Sequence, residues 1–131
     1  MNLKLLMREL FLILMLFISV ISYSQKDHEI LYDQVFRSSW ETEQTLFEFD
    51  SILNKVNITT VKSGLKKNLI RISDYSESKT DGGFVYYFAM YVDEITDQEI
   101  MMQIFKDEKY GIRLIYEDGR TVQYADKLSE E

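Results

Sequence analysis

The chain has 131 residues, with 15 Lys and Arg against 22 Asp and Glu, a formal net charge of −7, one His, and neither Cys nor Pro. That length allows one small domain with an extra segment at one end, and 46% hydrophobic with 28% charged residues is a globular composition. The missing cysteines exclude a disulfide framework, a thiolate metal site and a Cys nucleophile. The acidic balance argues against nucleic acid, whose backbone demands clustered Lys and Arg.

Lys4 and Arg8 open the chain and Leu10 to Ile21 follows, twelve residues of which only Ser19 is polar. Ser22-Tyr23-Ser24 then offers small residues at the first and third positions. A basic start, a short apolar core and a small-x-small site make a signal peptide over 1–24. The apolar core is too short for a membrane span of ~20 residues, and extending it would bury Arg8 and Glu9 in lipid. We expect cleavage after Ser24, a mature chain beginning at Gln25, and no membrane span after cleavage. Removing 1–24 takes away Lys4, Arg8 and Glu9, lowering the basic count from 15 to 13 and the acidic count from 22 to 21.

Residues 25–40 read as an N-terminal arm or short helix. Asp27 can cap a helix in which Leu31 meets Val35 and Tyr32 meets Phe36, four residues apart. An extended lead-in strand is the rival; the helix is the reading we take.

From there to residue 127 the chain alternates, with strands expected at 43–50, 55–62, 67–75, 83–93, 98–106, 111–117 and 120–126. Gly64, Gly82 and Gly119 fall between these runs and Gly83 and Gly111 open two of them, at turns where a positive φ is needed. Glu117-Asp118-Gly119-Arg120 is the clearest hairpin turn, Asp-Gly between two alternating apolar runs. Every connection is short enough for antiparallel neighbours. The fold expected is all-β, a seven-stranded antiparallel meander curled into a small barrel or barrel-like sandwich, ending in a tail at 128–131. Its core is expected to hold Phe47, Phe49, Val56, Ile58, Ile70, Ile72, Phe84, Phe88, Met90, Ile100, Met102, Ile104, Ile112, Leu114, Val122 and Tyr124.

An exported leader ending Ser22-Tyr23-Ser24-Gln25 is followed by Trp40-Glu41, Phe49-Asp50, Lys55-Val56-Asn57-Ile58, Leu69-Ile70-Arg71-Ile72, Val92-Asp93-Glu94 and Leu114-Ile115-Tyr116. In this order the chain resembles small exported bacterial all-β proteins of unknown function, over residues 38–125. Such proteins often carry Cys in the strands flanking the Val-Asp-Glu turn, and this chain has none. The resemblance implies a β-meander and an exported location, and brings no activity with it.

Chemistry-bearing residues are few. His28, the only histidine, lies near the predicted mature end, where no fixed partner is expected. No Ser-His-Asp triad and no His-rich metal site can therefore be named. Asp93, Glu94, Asp97 and Glu99 cluster on one turn, without the spacing or central Gly of a calcium loop, and read as a solvated acidic surface. Glu48 and Asp50 share one strand face opposite Phe47 and Phe49. We read them as charges guarding an exposed strand edge. Tyr87 and Tyr91 share a face with Val85 and Ala89. With Phe84, Tyr86, Phe88, Met90 and Val92 taken as core, this Tyr face becomes the candidate interaction surface, although the N-terminal arm could cover it.

No catalytic, metal or cofactor-binding residue emerges. The expected function is a non-enzymatic interaction or structural module at the cell envelope, in the periplasm, at the outer surface or in the medium. Its partner is an unidentified protein or envelope component. The other reading is a lipocalin-like carrier of a small apolar ligand. That reading needs room inside the barrel, whereas the residues that alternation turns inward are large and predict a filled interior.

Overall fold

In the computed structural model, which describes residues 28–126, strict alternation and short turns produce nine strands. They are β1 (His28–Phe36), β2 (Trp40–Asp50), β3 (Lys55–Thr60), β4 (Lys66–Arg71), β5 (Ser76–Lys79), β6 (Val85–Asp93), β7 (Glu99–Phe105), β8 (Ile112–Tyr116) and β9 (Thr121–Ala125). A 3₁₀ turn at Glu108–Tyr110 precedes β8. All pairings are antiparallel, in the order β4-β3-β2-β1-β9-β8-β7-β6-β5, and β4 also pairs with β6.

That last pairing closes the sheet. β4 and β5 lie one after the other against β6: Arg71 opposes Tyr91 and Ser76 opposes Phe88. The step from Arg71 to Ser76 is longer than its counterpart on β6, so the chain bulges there. Ser73 occupies the gap, its Oγ accepting the Met90 N–H at 2.8 Å. β4 and β5 thus act as one bent strand, and the whole is a closed, eight-stranded antiparallel barrel. Closure leaves no row of unpaired backbone along β2 or β3.

Two expectations about elements are corrected. The arm at 25–40 is not a helix where it is described: residues 28–36 form β1, which pairs with β2 along most of its length and with β9 through Gln34, Val35 and Phe36. The seven expected strands are therefore joined by one more barrel strand, and the 67–75 run breaks into β4 and the corner that leads to β5. The 1–24 segment and the 128–131 tail lie outside the described residues.

The barrel interior holds Val35, Phe47, Val56, Leu69, Ile100, Met102, Ile112 and Leu114, all at 0% exposure. Tyr32, Ile58, Ala89, Tyr91, Tyr116, Val122 and Tyr124 complete the cluster. Edge-to-face aromatic contacts tie distant strands together. Phe47 lies 5.6 Å from Tyr32 and 5.1 Å from Tyr124 between ring centroids. Such pairs add to the area they bury.

Nine of the expected core residues are buried, but two strands face the other way. In β4, Leu69 is inside, Ile70 is only half-buried, and Ile72 is 55% exposed. In β6, Ala89 and Tyr91 are inside, Phe88 and Met90 are half-buried, and Phe84 is 44% exposed. Registers decide this. Leu69 opposes the buried Val56, while Ala89 and Tyr91 oppose the buried Met102 and Ile100. Directly opposed residues share a face, so a one-residue error turns a whole strand inside out. The outer faces of β6 and β7 instead build an aromatic cluster in which Phe105 sits 5.8 Å from Tyr86 and 6.0 Å from Tyr110.

Candidate functional site

The strand inversion first removes the expected interaction surface. Tyr87 and Tyr91 do share a face, but it is the inward one. Tyr91 is 2% exposed, and its hydroxyl is hydrogen-bonded to that of Tyr75. Burial, then the bond to Tyr75, pushes the Tyr91 phenol far above its usual range. Tyr87 lies nearer the strand end and is 38% exposed. The pair is not an outward contact patch, and residues 28–36 of the expected arm are part of the barrel wall.

The acidic residues are likewise occupied separately. Asp93 points inward and is buried; its Oδ1 accepts the N–H groups of Ile95 and Thr96 and shapes the β6–β7 turn. Glu94 pairs with Lys55 at 3.0 Å. Among the described residues no group of three His, Cys, Asp or Glu side chains converges as a metal site would require. Asp50 caps the β2–β3 turn, its Oδ1 accepting the Ile52 and Leu53 N–H groups. Glu48 lies opposite Asn57 and Glu29 inside the closed sheet. It guards no edge, which corrects the role expected for it. His28 begins β1, exposed, with its ring 6.1 Å from Phe49.

The barrel does open at one end, between the β1–β2, β3–β4 and β8–β9 connections. A cavity of about 600 Å³ enters there, over Ile58, Val122 and Tyr124. A second, shallower hollow of about 830 Å³ adjoins it and shares Arg37, Thr60 and Leu65. Five basic side chains line the two, Arg37, Lys62, Lys66, Lys67 and Arg120, against one acidic, Glu43. In a chain with more acids than bases, the lining of these two hollows has the opposite sign.

Lys67 is placed there by alternation. It precedes the buried Leu69 by two residues on β4 and so projects inward. Its ammonium donates to the Tyr116 hydroxyl on β8 at 2.7 Å and lies 4.6 Å from that ring's centroid. Arg120 lies over the same ring at 4.3 Å. Arg37 is held by Glu43 through two hydrogen bonds of 3.1 Å, which raise the guanidinium pKa above its usual value. Tyr124, at the floor, has its phenol pushed well up by burial and then by the neighbouring Tyr116. On β1, burial and then the charges of Asp126 and Glu108 push Tyr32 up to about 12. Phenols shifted this way stay protonated at neutral pH and do not act as bases.

Lys67, Tyr116, Arg120 and Arg37 were not singled out by the sequence. Each looks like an ordinary loop or strand-end residue, and only closure of the barrel gathers them. The one signal available was the parity of Lys67 with Leu69.

Compared with protein-family models, with curated proteins and with solved structures, the chain matches none of them.

Proposed function

We propose that this protein is an exported, non-enzymatic binding barrel that takes a small molecule into the cavity at its open end. The cavity carries this reading: about 600 Å³ lies within the size range of small-molecule sites, and its apolar floor and polar rim match how such sites hold a ligand. It is the carrier alternative, with the ligand seated in the mouth because the deeper interior is filled by Phe47, Met102 and Leu114. The neutral dye Nile red tests it. Saturable fluorescence enhancement by the purified protein is expected, and a folded Thr60→Trp variant, which fills a wall common to both hollows, should lose it. Unchanged binding by that variant would refute the reading. Export is tested separately by N-terminal sequencing of the exported form, expected to begin at Gln25.

The envelope interaction module retains one observation in its favour. Phe36 and Trp40 are 36% and 44% exposed on the outer wall, their rings 5.3 Å apart. Paired exposed aromatics are a common anchor for a partner. Trp40→Ala should then abolish capture of envelope components while leaving Nile red binding intact.

A further inference from the structure

We infer that the ligand of the open end is an amphiphile with an anionic head, a carboxylate, sulfonate or phosphate ester, seated between Lys67 and Arg120 at the edge of Tyr116. The inference rests on the binding-barrel reading and adds the ligand's chemistry.

The charge distribution comes first. Arg37 already has a carboxylate partner in Glu43, with both nitrogens engaged. Lys67 differs. Among the described residues no carboxylate lies within ion-pair distance of it, and its hydrogen bond goes to a neutral phenol. An ammonium has three donors and no acceptor, so two donors remain to be used inside a partly buried mouth. A cation withdrawn from water without a counter-ion is costly, and an incoming anion relieves that cost. Among the described residues Arg120 has only Asp118 as an ion-pair partner, at 4.0 Å with both side chains 60% exposed. A pair so exposed holds Arg120 weakly. The Tyr116 ring therefore has two cations against it that lack a firm partner, 4.6 and 4.3 Å from its centroid.

The second observation is the floor. Ile58 and Val122 lie beneath the cations, and Leu65, 72% exposed, stands at the rim. A bare inorganic anion would leave these surfaces wet; an aliphatic tail covers them. In a chain of net −7, basic groups gathered around a recess with low-dielectric walls also draw anions toward it.

Competition against bound Nile red decides the point, using decanoate, decanol and decyltrimethylammonium below their micelle concentrations. Decanoate is expected to displace the dye at a concentration at least about tenfold below decanol, and decyltrimethylammonium to be the weakest. Lys67→Met, confirmed folded by circular dichroism, should erase the decanoate advantage. Lys67→Arg should keep it, as should Lys109→Met, which lies outside the mouth. If decanoate and decanol compete equally while the dye binds saturably, the anionic head is wrong and the binding reading stands. An advantage that survives Lys67→Met overturns the placement. Failure of the dye to bind at all overturns both.

Discussion

The two ends of this barrel are built on opposite principles. Around the β7–β8 connection, at the end away from the mouth, the chain is tight. Phe84 and Tyr110 meet at 4.7 Å between ring centroids, Asp107 caps the 3₁₀ turn, and Gly111 lies directly against the backbone of β9. At the other end the turns stand apart around a recess rimmed by cations. Stability is concentrated where side chains and backbone leave no space. Binding capacity lies where they leave space that charge has not filled. Substitutions at the tight end should therefore act on folding, and those at the open end on ligand preference.

The largest effect is expected at Gly111. It has φ 64° and ψ −130°, and an added Cβ would meet the Tyr124 carbonyl oxygen at 1.8 Å. Backbone cannot yield as a side-chain tip can. Gly111→Ala should cost about 4 kcal/mol or more, in the exceptional range for single changes, or abolish cooperative unfolding in urea. A midpoint within about 1 kcal/mol of the parent would mean that β9 does not approach β8 as described.

Next comes the inverted strand. Leu69→Ala removes a fully buried side chain and should cost about 2–5 kcal/mol. Ile72→Ala, at a site 55% exposed, should stay within about 0.5 kcal/mol. Thermal or urea unfolding of the pair checks the facing of β4, and the reverse ranking would restore the facing that alternation first suggested.

That pair also marks what could be read from the residues alone. In β7, β8 and β9 one parity is wholly apolar and the other is interrupted by Glu99, Gln103, Arg113, Thr121 and Gln123, so Ile100, Met102, Ile112, Leu114, Val122 and Tyr124 could be assigned inward without knowing their partners. In β6 both parities are apolar, and around β4 Leu69 stands in one parity while Ile70 and Ile72 stand in the other, so the choice belongs to the neighbouring strands, through Val56 and Met102. β1 misled for a different reason. Its register slips between Tyr32 and Gln34, so Tyr32 and Val35, three residues apart, both face inward. The pairs taken as helical, Leu31 with Val35 and Tyr32 with Phe36, each have one member inside and one exposed, so they mark no single face. The mouth could not be read locally, because Arg37, Lys67 and Arg120 are distant in sequence and each sits among polar neighbours.

A smaller loss is expected at the hairpin of the open end. Gly119 has φ 87°, and its N–H donates to Tyr116 O at 3.0 Å, as the Asp-Gly turn anticipates. An added Cβ meets nothing within 4 Å, so the penalty is conformational alone. Gly119→Val should cost about 1 kcal/mol, far less than Gly111→Ala, because a β-branched residue resists this φ. Equal losses at the two glycines, measured by urea midpoints, would remove the distinction between crowded and open ends.

The smallest stability effect, and the sharpest separation of the two ends, is expected at the Arg37–Glu43 pair. Its side chains are 49% and 24% exposed, and pairs so placed contribute roughly 0.2–1 kcal/mol. Arg37→Ala and Glu43→Gln should therefore both leave the midpoint within about 1 kcal/mol. Their effects on ligand choice should have opposite signs. Without Arg37, the Glu43 carboxylate stands unneutralised beside the cavity and repels an anionic head, so the preference for decanoate over decanol should fall. With Glu43→Gln, Arg37 loses its counter-charge and becomes a further cation for the ligand, so that preference should rise. Dye displacement by both competitors measures the two ratios directly. Ratios moving in the same direction would show that these charges do not act on the head group through the cavity, and a stability loss above about 2 kcal/mol in either variant would place the pair in the structural half of the molecule.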